Sequence, residues 1–127
     1  MLKSIGVVAL SLSMFCASAA SAQDLTRAQT NAARSAKNYL SLQGFSRDGL
    51  IDQLSSSYGD GYDVGDATAA VDSLSVDWNE QAARSASKYL EMMGFSCRGL
   101  IEQLSSDAGD QYTPSQARYG AEQAGAC

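Results

Sequence analysis

The residues of this sequence that could do chemistry are mainly carboxylates, because the chain contains no histidine. Within the segment GDGYDVGD, Asp60, Asp63 and Asp66 follow one another at intervals of three residues. A calcium-binding EF-hand loop instead places its acidic ligands at alternate positions and ends on a glutamate at the twelfth. The spacing therefore favours turn and helix-capping roles for these aspartates, and no metal site is predicted.

Catalysis finds little support in the sequence. Acid-base and nucleophilic mechanisms rely on histidine or on a cysteine beside a base, and neither arrangement occurs here. Paired carboxylates can hydrolyse glycosides, but a small helical repeat gives no indication of the deep cleft that such a substrate needs. The sequence predicts a protein that is not an enzyme and that uses no cofactor.

The first residues have the pattern of an export signal. A charged start at Met1–Lys3 precedes the apolar run SIGVVALSLSMF, and Ala20–Ala22 matches an A-x-A cleavage site. We expect cleavage after Ala22, so that residues 1–22 are removed and the mature chain lies in the periplasm or the medium. Cys16 offers a lipid-anchored alternative, but a phenylalanine stands where a lipobox has a small residue. Membrane contact is expected only if Cys16 is lipidated.

After cleavage two cysteines remain, Cys97 and Cys127. In an exported protein such a pair is more often bonded than free. A bridge within one chain would tie the start of a helix to the chain end, with a loop of about 30 residues worth roughly 3 kcal/mol. A bridge between two chains is the alternative.

The mature chain is acidic, with eight basic and fourteen acidic residues and a formal net charge of 8 − 14 = −6. This charge disfavours nucleic acid, whose phosphates are bound by lysine and arginine, and suits a protein partner with a basic surface. Solubility alone is the other explanation. The candidate partner-binding residues lie on the second helix and in the following loop of each half, and are Asp52, Asp60, Asp63, Glu102, Asp107 and Asp110.

The chain repeats itself at a shift of 50 residues. Aligning residues 31–74 with residues 81–124 gives 21 identities in 44 positions. A period of this size marks a duplicated supersecondary unit, and apolar residues recur in it at helical spacing with no strand-like alternation. We predict an all-α fold of two tandem three-helix, helix-turn-helix-like repeats of about 50 residues, covering 23–75 and 76–127.

Each repeat has Gly-Phe-Ser between its first two helices. Gly44 and Gly94 are predicted to end the first helix in the left-handed conformation, and Ser46 and Ser96 to cap the second. Thr113–Gln116 predicts the start of the third helix of the second repeat, because it forms a capping box with proline at the first helical position. The segment SLSV leaves open whether the third and fourth helices are continuous.

The second repeat, VDWNEQAARSASKYLEMMGFSCRGLIEQLSSDAGDQYTPSQARYGAE, closely resembles the Ltp family of host-cell-surface lipoproteins. The shared features are the Trp-Asn-Glu-Gln-Ala start, Phe-Ser before Gly-Leu, Gln-Leu in the second helix, and a Gly-x-x-Tyr-Thr loop leading to Gln-Ala-x-Tyr. The resemblance covers both repeats, essentially the whole mature chain.

The resemblance implies a tandem of small helical units outside the cytoplasmic membrane. The best-known members of the family are phage-encoded superinfection-exclusion proteins, which block DNA injection by a second phage by engaging its tape-measure protein. One departure is that this chain lacks a convincing lipobox. The function implied is an exported binding protein that excludes phage, and the alternative is a general cell-envelope interaction protein without a phage target.

Overall fold

The computed structural model describes residues 24–127, which form six α-helices and no strand. The predicted export signal, with Cys16 and the cleavage after Ala22, lies outside the described residues. Within residues 24–127, no helix is long and apolar enough to cross a membrane. The all-α prediction is confirmed. The helices are α1 Arg27–Leu42, α2 Arg47–Ser55, α3 Val64–Asp72, α4 Trp78–Met92, α5 Cys97–Ser105 and α6 Pro114–Gln123.

Each helix begins at a residue whose side-chain oxygen accepts a hydrogen bond from a backbone N–H of the first turn, which satisfies a donor that the helix leaves unpaired. In α6, the predicted capping box between Thr113 and Gln116 is present, and Pro114 occupies the first helical position. The six N-cap residues are Thr26, Ser46, Asp63, Asp77, Ser96 and Thr113.

The third and fourth helices are separate, so the two repeats are not joined by one continuous helix. Helix α3 ends at Asp72, and α4 begins at Trp78 with Asp77 as its N-cap. Trp78 is half-buried and packs against the apolar core of the first repeat. The single tryptophan therefore links the start of the second repeat to the first.

Each repeat has its own apolar core, formed where its three helices meet. In the second repeat, α4 and α6 approach so closely that a Cβ on Gly120 would lie 2.6 Å from the carbonyl oxygen of Ala82. Leu50 and Leu54 of the first repeat and Leu100 and Leu104 of the second are fully buried. Burying one such leucine stabilises the fold by about 2 kcal/mol.

The predicted role of Gly44 and Gly94 as left-handed helix terminators is wrong. The C-cap residue of α1 is Gln43, and its backbone is extended. The C-cap residue of α4, Met93, has the same extended conformation. Among residues 24–127, the glycines with positive φ are Gly61 and Gly125. The chain turns without a left-handed residue because the extended cap carries it directly to the N-cap serine of the next helix.

Cys97 and Cys127 form a disulfide within one chain, with their Cα atoms 4.7 Å apart. The bridge joins the first residue of α5 to the segment after α6, which ends at Gln123. This geometry settles the choice between the two pairings that the sequence left open.

Candidate partner-binding site at the junction of the repeats

The two repeats meet where the turn after α1 packs against α4. A Cβ on Gly44 would lie 2.7 Å from the backbone carbonyl oxygen of Gln81 and 2.6 Å from Oγ of Ser85. The Ser85 hydroxyl could rotate away, but the Gln81 carbonyl belongs to the α4 backbone. Glycine is therefore required at position 44 for this approach.

Polar contacts cross the junction at four places. The backbone N–H of Phe45 donates to Oε1 of Gln81 at 3.4 Å. Nη1 of Arg84 donates to the carbonyl oxygen of Leu40 at 2.8 Å. Nε2 of Gln111 donates to Oδ2 of Asp52 at 2.8 Å. The hydroxyl of Ser46, which caps α2, donates to the backbone carbonyl of Asp110.

A polar network lies inside each repeat, at positions that are identical in both copies. In the first repeat, the Tyr39 hydroxyl donates to Oδ1 of Asp60 at 2.7 Å and accepts from Nε2 of Gln53 at 3.4 Å. The hydroxyls of Ser35 and Tyr62 lie 3.2 Å apart. Sequence reasoning missed this network, although the recurrence of all five residue types after 50 positions was its signal.

The second copy of the network is more deeply buried. The Tyr89 hydroxyl donates to Oδ1 of Asp110 at 2.9 Å and accepts from Nε2 of Gln103 at 3.2 Å. The hydroxyls of Ser85 and Tyr112 lie 2.7 Å apart, and Tyr112 is only 2% exposed. The junction itself covers these residues.

Burial changes the acid-base properties of this second network. Desolvation raises the pKa of Asp110, and the hydrogen bond from Tyr89 partly opposes the rise. Among the described residues, Oδ2 of Asp110 is a buried side-chain oxygen with no hydrogen-bond partner. Burial also raises the pKa of Tyr112. For Tyr89, burial is the main cause of a raised pKa, and its hydrogen bond to Asp110 adds to it.

Two neighbouring clefts open along the junction, of about 600 Å³ and about 200 Å³. Both are lined by Gln43, Gly44 and Lys88. Leu42 borders the larger cleft and is 79% exposed, and Met92 borders the smaller one and is 66% exposed. Apolar side chains beside charged ones at a groove are the kind of surface that an amphipathic partner segment contacts.

The six acidic candidates lie in different environments. Asp110 is at the junction, Asp52 is exposed beside it, and Asp63 is the N-cap of α3. The exposed Glu102 accepts from Nε of Arg98 at 3.3 Å. Within residues 24–127, no three side chains of Cys, Asp or Glu are grouped so that they could hold a metal ion. Asp107 is exposed, and the exposed Asp60 accepts from the hydroxyl of Tyr39 in the first repeat.

The fold places the chain among small all-α proteins built from tandem helical repeats. The sequence model of one family, described as host cell surface-exposed lipoprotein, matches residues 27–74 and again residues 77–123. The chain belongs to this family. That description is consistent with export of the chain, and it names a surface lipoprotein and not an enzyme.

A solved structure shares the fold. The structure of Ltp, a superinfection exclusion protein from the Streptococcus thermophilus temperate phage TP-J34, is similar with a TM-score of 0.69. The two sequences are 28% identical, and the similarity covers 77% of this chain and 96% of that chain. No curated protein sequence matches this one.

Proposed function

We propose that this chain is an exported, non-enzymatic binding protein that excludes superinfecting phage. The observation that carries the proposal is the structural similarity to Ltp, which covers 77% of this chain and 96% of that chain. In this proposal the chain blocks DNA injection by binding the phage tape-measure protein outside the cytoplasmic membrane.

The surface of the chain supports a protein partner. The exposed carboxylates of Asp52, Glu102 and Asp107 suit a partner with basic side chains, and opposite charges accelerate association. The exposed Leu42 and Met92 beside the junction clefts suit its apolar side chains. A helical, partly basic segment combines both requirements.

Export is part of the proposal. We propose removal of residues 1–22 and release of the mature chain into the periplasm or the medium, with lipidation at Cys16 as the alternative. Mass spectrometry of the exported protein distinguishes the two, because cleavage after Ala22 removes Cys16 from the mature chain.

The test is a phage challenge of cells that export the protein. Adsorption and entry of phage DNA are measured separately for a panel of tailed phages, with cells carrying the empty vector as the control. We expect unchanged adsorption and reduced DNA entry for at least one phage. Unchanged DNA entry across the panel would contradict phage exclusion and favour a general role in the cell envelope.

A second test addresses the tape-measure partner directly. For an excluded phage, the affinity of its purified tape-measure protein is measured for the unmodified chain and for the double variant E102Q/D107N. We expect affinity to fall on the order of tenfold, since each exposed charge contributes up to about 1 kcal/mol. The matched control D24N/E122Q removes the same charge from other exposed positions. Equal affinity in all three proteins would contradict the acidic contact surface.

A further inference from the structure

The second repeat covers a face of the first repeat whose counterpart on the second repeat is left uncovered by residues 24–127. We call this the turn face: in the first repeat it comprises the Leu40 carbonyl, Gly44, Ser46, Gly49 and Asp52, and in the second the equivalent positions 90, 94, 96, 99 and 102. Ser46 is 2% exposed, whereas Ser96 is exposed. A Cβ on Gly44 would collide with α4, whereas a Cβ on Gly94 would meet no atom of residues 24–127 within 4 Å.

The surface that occupies the first turn face also has an uncovered counterpart. We call it the helix face: in the second repeat it comprises Gln81, Arg84, Ser85, Asp110 and Gln111, and in the first the equivalent positions 31, 34, 35, 60 and 61. Asp110 and Ser85 are at least partly buried by the junction, whereas Asp60 is exposed. A Cβ on Gly61 would meet no atom of the described part of the chain within 4 Å.

We propose that the uncovered turn face of one chain binds the uncovered helix face of a second copy of the same chain. The binding repeats the geometry of the internal junction. Arg34 of the second copy takes the place of Arg84 and donates to the carbonyl oxygen of Leu90. The hydroxyl of Ser96 takes the place of Ser46 and donates to the backbone carbonyl of Asp60 of the second copy.

The occupant is a second copy because the internal junction already shows these residue types bound to each other. Glycine recurs at 94, serine at 96 and 35, arginine at 34 and aspartate at 60. The second turn face is bordered by Met92 and Met93, which are 66% and 57% exposed. A second copy that covers this face would remove part of this apolar surface from water.

The binding between chains is weaker than the internal junction, and it can continue from each added copy to the next. Position 61 is glycine where the second repeat has Gln111, so the bond from Gln111 to Asp52 has no counterpart between chains. The two faces differ from each other, so the association is head-to-tail and produces open chains unless it closes into a ring. This proposal does not depend on the phage-exclusion function.

The test is sedimentation velocity of the exported protein, purified after export, over a concentration series up to about 1 mM. We expect the average mass to rise with concentration. The variant G94R places a large charged side chain on the uncovered turn face, and we expect it to stay monomeric with an unchanged melting temperature. The control S115R adds the same charge at another exposed residue and is expected to associate as the unmodified chain does.

A mixing experiment tests the head-to-tail arrangement. The variant R34E changes the helix face and leaves the turn face intact, so it is expected to be monomeric alone. A mixture of G94R and R34E retains one good face of each kind, so it is expected to form a dimer and nothing larger. A monomeric unmodified chain at every concentration, association of G94R, or a mixture that stays monomeric would each overturn the proposal.

Discussion

The same five residue types form the same hydrogen bonds in both repeats, but the two networks differ in burial. In the first repeat, the carboxylate of Asp60 binds Tyr39 at the surface. In the second, the equivalent Asp110 binds Tyr89 beneath the turn after α1, with one oxygen buried and unpaired. The difference shows that docking of the repeats, and not the repeated sequence, decides how far each network is buried from solvent.

The two repeats also differ in what ties their second and third helices together. In the first, Arg47 donates to both oxygens of Asp72 at 2.7 and 2.9 Å, which lowers the pKa of Asp72. In the second, the position of Arg47 is taken by Cys97, which is bonded to Cys127. A covalent tether replaces an exposed ion pair, so the two links are expected to differ in strength.

The largest effect is expected from the disulfide. The double variant C97S/C127S should lower the free energy of unfolding by about 3.5 kcal/mol, because the bridge closes a loop with a sequence separation of 30 residues. In the first repeat, R47A should cost about 1 kcal/mol at most, since the Arg47 side chain is 41% exposed. Urea denaturation of the three proteins measures both. Equal losses would contradict the difference between the two tethers.

The next effect is expected from the glycine of the turn. We expect G44A to lower the free energy of unfolding by about 2 kcal/mol, because its Cβ would press on the α4 backbone. The Cβ of G94A meets no neighbour among residues 24–127, and we expect this variant to change stability by less than about 1 kcal/mol. Chemical denaturation of both variants is the measurement. Similar losses at the two positions would show that the turn itself, and not the junction, requires glycine.

A smaller difference is expected between the two capping serines. S96A removes a helix cap and should cost about 1 kcal/mol. S46A removes the equivalent cap and also the hydrogen bond to the Asp110 carbonyl, so we expect it to cost about 2 kcal/mol. Thermal unfolding followed by circular dichroism measures both variants. If S96A proved as costly as S46A, the bond across the junction would contribute nothing.

The smallest expected effect is on pH dependence. Because burial raises the folded pKa of Asp110, its contribution to stability is complete below the unfolded pKa near 3.9 and is lost as pH rises through the folded value. D110N removes this titration. We expect the stability of D110N relative to the unmodified chain to increase as pH rises from about 3.5 to 7. Denaturation at several pH values measures it, with D60N at the exposed position as the control. A pH-independent difference would contradict the raised pKa.

The helices were predictable because their signals are local. Capping by Ser46, Ser96 and Thr113 acts within the first turn of each helix, so the sequence indicates where these helices begin. The pairing of Cys97 with Cys127 was the favoured interpretation for a different reason, since the two cysteines are 30 residues apart but allow one bridge within a chain. The candidate site was less predictable, because its acidic residues are scattered and its clefts lie between repeats.

The sequence by itself determined two three-helix units and the N-caps of their helices, because helical periodicity and capping depend on residues within about four positions of one another. Only the tertiary structure decided which copy of an identical segment is buried and which is exposed. Gly44 and Gly94 both precede Phe-Ser, yet α4 packs on Gly44, and no described residue packs on Gly94. The reason is that burial depends on contacts between residues far apart in the chain. Because the two repeats dock through two different faces, the junction within residues 24–127 covers only one copy of each face.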